Sequence, residues 1–179
     1  MANDLRIPIG TDDNSVFALR ASAIIVRHNP VDPDGTQLLM VTNDDVDYWY
    51  SVGGAVEFGE TTRDALAREI REETGADLAI GDLAAVEESF FAPADARTGA
   101  RRARHEWHQV TFFYWVDIPG GFDPVSCSMA SHGEAEKLGW LSTEDITAGA
   151  IVFPAFLKEV PSGRWQGVQH KVERSGRYV

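Results

Sequence analysis

Residues 54–76, GAVEFGETTRDALAREIREETGA, constrain this chain more than any other stretch. They dictate a glycine-rich loop followed by a short helix with a fixed beginning and end. Thr61 is a good N-cap, with Asp64 three residues on as the reciprocal acid of a capping box. Ala65 through Glu73 are mostly good helix formers, and Gly75 supplies the left-handed residue that stops the helix. At about 100° per residue, Glu69, Glu72 and Glu73 share one sector of that helix, while Leu66 and Ile70 point to an adjoining sector and bury against a sheet. Like charges three and four residues apart repel, by a few tenths of a kcal/mol per pair. A hard cation with oxygen ligands reverses the sign, and Mg2+ typically keeps several waters and adds substrate phosphates.

A solvated acidic helix face is the competing reading. It accounts for Glu72 and Glu73 but leaves Gly53, Gly54, Glu60, Arg68 and Gly75 at these distances unexplained. With average residue usage, the full pattern arises at a given start on the order of once in 10⁹.

The stretch resembles the Nudix box, G-x5-E-x7-R-E-U-x-E-E-x-G-U, where U is a bulky aliphatic residue. Gly54, Glu60, Arg68, Glu69, Ile70, Glu72, Glu73 and Gly75 all match, and the departure is Ala76 at the final U, with Leu78 close by to supply bulk. The resemblance implies that Glu69, Glu72 and Glu73 are metal ligands, joined by the backbone carbonyl of Gly53. It implies that Glu60 orients Arg68 or a water near the metal. It also implies an α/β/α sandwich with a mixed β-sheet and a cofactor of Mg2+, with Mn2+ as a substitute.

The formal net charge is -12 and the sequence pI about 4.7, so nonspecific binding of nucleic acid or of an anionic membrane is disfavoured. An anionic small molecule remains acceptable where metal ions neutralise its phosphates. Cys127 is the single cysteine, which excludes an intrachain disulfide and a cysteine-based zinc site. No basic-then-apolar leader and no membrane-length apolar run is present, so the expected compartment is the cytoplasm.

The order of elements predicts an α/β fold. Residues 1–15 read as an N-terminal arm in which Leu5, Ile7 and Ile9 alternate as an edge strand would. Residues 16–160 read as one Nudix-like domain, and 161–179 as a polar tail with weak strand character. Strands are expected at 16–27, 37–42, 83–91 and 105–117, with a short one at Trp140-Leu141. A helix is expected from Glu144 after a Ser142 or Thr143 cap, and another over 151–160, broken at Pro154.

Several further residues carry chemistry. Glu134 and Glu136 precede a Trp-containing strand, where many Nudix enzymes place an extra metal ligand or general base; the spacing to Trp140 favours Glu134. Arg97, Arg101, Arg102 and Arg104 concentrate positive charge in one loop, and Arg104, bordering a strand, is the candidate for a substrate contact. His105 and His108 fall on opposite faces of a strand and should not share a cation, whereas Glu106 and His108 share a face, and Glu106 is a candidate substrate contact. Tyr48, Trp49 and Tyr50 precede the box; alternation turns only some of them to the site, with Tyr50 the substrate-binding candidate.

These features add up to an expected Mg2+-dependent hydrolase that cleaves a diphosphate linkage in a nucleoside triphosphate, an oxidised nucleotide or ADP-ribose. The alternative is a non-catalytic Nudix-fold module that binds a nucleotide or regulates. The expected partner is a small-molecule nucleotide, not nucleic acid or membrane. Many Nudix enzymes are homodimers, and the resemblance leaves that state open for this chain.

Overall fold

The structure is a computed structural model, and it describes residues 6–8, 15–31, 35–91, 106–125 and 135–174. Arg97, Arg101, Arg102, Arg104, His105, Cys127 and Glu134 lie outside the described residues, as does the side chain of Glu106.

In chain order the strands are β1 (Arg6–Pro8), β2 (Ser15–His28), β3 (Thr36–Asn43), β4 (Tyr48–Ser51), β5 (Gly53–Ala55), β6 (Ala79–Phe91), β7 (Glu106–Asp117), β8 (Glu136–Ser142), β9 (Ile151–Phe153) and β10 (Gln169–Arg174). The helices are α1 (Thr62–Thr74) and α2 (Thr143–Thr147), and Ala155–Ser162 forms a 3-10 segment. Together the strands form a mixed sheet in the order β10-β6-β7-β2-β3-β4-β9, with β1 and β5 attached to β2 and β8 attached to β3. The α/β fold with a mixed sheet expected from the sequence is the fold observed.

β2 is the spine. Residues 15–25 pair in parallel with β7, residues 20–22 pair antiparallel with β5, and the last residues, 26–28, pair antiparallel with β3. Alternation along it divides the interior in two. Ala21, Ala23 and Ile25 face α1 and pack with Leu66, Ile70, Tyr114 and Val116. Ile24 faces the other way and packs with Met40, Phe113, Trp115, Phe156 and Leu157, the last two from the 3-10 segment. Helical elements therefore cover both faces, which the alternation of a doubly buried sheet requires.

The strand edges extend further than the sequence pattern alone indicates. β1 pairs with the start of β2, as the alternation in the N-terminal arm suggests. Residues 169–174, within the stretch read as a tail, add a parallel strand beside β6. The short strand expected at Trp140-Leu141 is seven residues long, because β8 pairs with β3 along its full length. The helix expected over 151–160 is replaced by strand β9, Pro154 and the 3-10 segment. Phe153 and Val152 pair with β4, and those ladder bonds outweigh the local helical preference.

Candidate active site

Local chemistry places α1 with little freedom. The Thr61 side chain accepts from the Asp64 amide, Asp64 accepts from the Thr61 amide, and Gly75 closes the helix at φ 71°. Ala65, Leu66 and Ile70 are fully buried against the sheet. That burial fixes the rotation of the helix and turns Glu69 and Glu73 toward β5.

Gly53 and Gly54 make that approach possible. A Cβ built on Gly54 would lie 2.1 Å from Glu69 Oε1, so any larger residue there collides with the carboxylate. Gly53 has φ 137°, and its absent Cβ would meet the Ala21 carbonyl oxygen at 2.3 Å. Its amide donates to Glu73 Oε1 at 3.2 Å. The other oxygen, Glu73 Oε2, is buried and has no partner. Burial drives the Glu73 carboxyl well above its usual range, the Gly53 amide opposes this, and Glu136 and Glu69 push it further up. Burial also raises Glu69, against the pull of Arg68.

Arg68 ties the box together. Its guanidinium bonds both oxygens of Glu60 at 2.9 and 3.1 Å, the Ala55 carbonyl at 2.9 Å, Glu69 Oε1 at 2.7 Å and Glu72 Oε2 at 3.3 Å. Glu60 also accepts from the Glu57 amide at 2.9 Å, so it pins the loop to the helix. Arg68 holds the Glu60 carboxyl below its usual range.

Arg20, on β2, is a residue that the sequence reading missed. Its Nη2 donates to the Gly53 carbonyl at 2.9 Å, and its charge lowers the proton affinity of both Glu69 and Glu73. The signal was present: an arginine inside the apolar run of residues 16–26 must find a partner to be tolerated.

Glu136, at the start of β8, is the second acid brought to the site. Tyr50 donates its hydroxyl to Glu136 Oε1 at 2.6 Å, and the negative charge of Glu136 is felt at Glu73. Burial and Glu136 together raise the Tyr50 phenol. Tyr50 thus positions an acid beside the box. Trp49 points to the opposite core, where Gly139 leaves room for its ring. His108 lies apart from the box, stacked on Phe90 at 4.3 Å and edge-on to Phe17 at 5.3 Å.

The available donors are carboxylate and carbonyl oxygens, the set that suits a hard divalent cation. The partnerless buried Glu73 Oε2 and the cradle at Gly54 fit such an ion. Among the described residues, no three Asp, Glu, His or Cys side chains converge as a ready-made cluster. Glu72 is turned to Arg68 and is the most exposed of the three box acids, at 56% of its side chain.

The NUDIX domain family model matches residues 19–160, most of the chain and the whole of this site. The chain belongs to the Nudix family. It is 40% identical over 103 residues to the dihydroneopterin triphosphate diphosphatase of Escherichia coli K12, an alignment covering 46% of this chain and 69% of that protein. It resembles the solved E. coli dihydroneopterin triphosphate pyrophosphohydrolase with a TM-score of 0.51 at 22% identity, over 80% of this chain and 92% of that one. A MutT protein from Bacillus halodurans gives a TM-score of 0.53 at 20% identity, over 86% and 89% of the two chains. As a Nudix protein with every box acid in place, the chain is a hydrolase of phosphoric anhydride bonds.

Proposed function

We propose that this Nudix hydrolase cleaves a diphosphate linkage in a nucleoside triphosphate, an oxidised nucleotide or an ADP-ribose-like compound, with Mg2+ or Mn2+ held by Glu69, Glu72, Glu73 and the Gly53 carbonyl. The observation that carries this reading is the buried, partnerless Oε2 of Glu73 beside Glu69, in a box whose Gly54 leaves no room for a side chain. The relative named for a triphosphate substrate supports a triphosphate end. Bound metal would neutralise phosphate charge and lower the pKa of a coordinated water.

The protein's own groups do the remaining work. The carboxylates of Glu69, Glu136 or Glu134 take the proton of the attacking water. The water oxygen forms a bond to one phosphorus, and the bridging anhydride oxygen leaves with the bonding pair on the other phosphate. Arg68 bridges Glu69 and Glu72 and offsets the repulsion between them, and Tyr50 fixes the rotamer of Glu136. Arg104, just before β7 in sequence, and Glu106, its first residue, would contact substrate. The proposed compartment is the cytoplasm; separately, no helix among the described residues is long and apolar enough to cross a membrane.

Phosphate release with Mg2+ is the test, run on nucleoside triphosphates, their oxidised forms, ADP-ribose and other nucleotide sugars, with phosphatase coupling where needed. A chelator-sensitive hit that Glu73→Gln abolishes is the expected outcome. Turnover of every hit by Glu73→Gln at the wild-type rate refutes the assignment.

A further inference from the structure

We propose that Asn43 is a positioning residue for the reaction, acting through Tyr50 to hold the carboxylate of Glu136 beside the box. This rests on the diphosphate-cleaving reading above, in which Glu136 is one of the acids that take the proton of the attacking water. Three neighbouring strands bring the groups together. Asn43, the last residue of β3, lies opposite Glu136, the first residue of β8. On the other flank of β3, Tyr50 lies opposite Val41, two residues from Asn43 and on the same face. The Tyr50 ring packs in the cluster that holds Val41 and Leu138, and its hydroxyl reaches the end of the strand where Asn43 and Glu136 meet.

Asn43 is buried, so its amide must be bonded within the protein. Its Oδ1 accepts from the Asp45 amide at 2.9 Å, and that bond fixes which way the side chain faces. Nδ2 is therefore the end turned to the Tyr50 hydroxyl, over a longer 3.5 Å. An amide nitrogen can only donate, so the phenol oxygen is the acceptor there. The one proton of the phenol goes the other way, to Glu136 Oε1 at 2.6 Å. The direction of the whole relay is thus set by the amide of Asn43, and the Tyr50 hydroxyl serves the acid.

Turn chemistry alone does not account for an amide at this position. The bond from the Asp45 amide is one that aspartate accepts as well as asparagine. Asp44, Asp45 and Asp47 already occupy the same turn. The turn also has other ties, because Thr42 Oγ1 donates to the Tyr48 carbonyl at 2.9 Å and Lys137 of β8 pairs with Asp44. A carboxylate at position 43 would compete with Glu136 for the Tyr50 proton and repel Glu136 itself. Asparagine keeps the acceptor that the turn uses and presents a donor to the relay.

The test uses Asn43→Asp, which keeps the size and the turn acceptor but removes the donor, and Asn43→Ser, which removes the donor without adding charge. Steady-state rates with Mg2+ are measured on GTP, its oxidised form and ADP-ribose, with circular dichroism melts to establish folding. Asn43→Asp is expected to lower kcat by about tenfold, the scale of losing an outer hydrogen-bond partner of a site residue. Asn43→Ser is expected to lower it severalfold, and KM is expected to stay unchanged in both. In a Tyr50→Phe background, itself slower than the wild type, neither substitution should lower kcat further, because the effect runs through the missing hydroxyl. A bare charge effect would persist there. Losses that multiply in the double variants overturn the proposal, as does an unchanged kcat or a rise in KM alone in folded Asn43 variants. A crystal structure of Asn43→Asp reads the relay without turnover. Tyr50 is expected to bond the new carboxylate, and a Tyr50–Glu136 bond kept at 2.6 Å with none to that carboxylate overturns the proposal. A wild type inactive on all three compounds counts against the diphosphate reading, and the crystal structure then decides the relay by itself.

Discussion

The guanidinium of Arg20 donates a 2.9 Å bond to the carbonyl of Gly53, the backbone oxygen that the box resemblance assigns to metal. Its positive charge also lies close enough to Glu69 and Glu73 to favour their ionised forms. Arg20 therefore competes with a divalent ion in two ways, by holding a donor oxygen and by like-charge repulsion. Arg20→Met is expected to bind Mn2+ severalfold more tightly than the wild type in the absence of substrate, measured by calorimetry. Weaker binding in a folded variant would show instead that Arg20 builds the ion site.

Arg68 distributes one guanidinium over Glu60, Glu69, Glu72 and the Ala55 carbonyl. Lysine keeps the charge but not the planar fork, so it cannot serve four partners at once. Arg68→Lys is expected to cost about 1–3 kcal/mol of stability, through the loss of charge-assisted bonds to part-buried acceptors. Turnover is expected to fall by roughly 10–100-fold, as when a residue that orients metal ligands is lost. Denaturation melts and steady-state rates together check this, and wild-type values in both would show that Arg68 is dispensable.

The contrast between these two arginines shows what was legible in the sequence. Arg68, its acids and the glycines form one uninterrupted stretch, where helix periodicity and capping convert spacing directly into geometry. The α/β class and the order of most strands followed from alternation and turn residues in the same local way. Arg20 reaches the site through a side-chain bond to Gly53, 33 positions distant, and a long-range contact of that kind leaves no local trace. The β9 segment illustrates the cost of local reading: its apolar residues fit a helix until β4 supplies a ladder. Glu134, the acid preferred over Glu136 from spacing, lies outside the described residues, and Glu136 is the one that the fold brings beside Glu73.

Gly54 matters through volume rather than backbone freedom. A methyl group there would sit 2.1 Å from one Glu69 oxygen and 2.6 Å from the other, so Gly54→Ala must push the carboxylate aside. The expected result is a folded protein that needs about 10–100-fold more Mg2+ for half-maximal turnover, comparable to other losses of ligand positioning. A metal titration of the rate checks it, and an unaltered metal requirement would mean that Glu69 does not need its observed position.

Glu87 offers a pH prediction on the opposite side of the sheet. It is fully buried on β6, one of its oxygens has no partner, and its pKa is pushed up to about 8 by burial, with Glu173 adding to the rise and the Ser89 hydroxyl opposing it. Glu173 also accepts from the Ala155 amide at 2.9 Å. Lys171, opposite Glu87 in register, directs its ammonium to Glu159 at 3.2 Å. An acid whose folded pKa lies above its unfolded value binds its proton more tightly when folded, so stability falls as pH rises from the unfolded pKa, near 4.5, to about 8. The slope from this group reaches at most about 1.4 kcal/mol per pH unit inside that window and vanishes above it. Glu87→Gln mimics the neutral form and removes the slope. Urea midpoints from pH 5.5 to 9 should therefore show the wild type losing stability relative to Glu87→Gln up to about pH 8 and running parallel beyond. Parallel curves across the whole range would place the ionised carboxylate in the native fold at neutral pH.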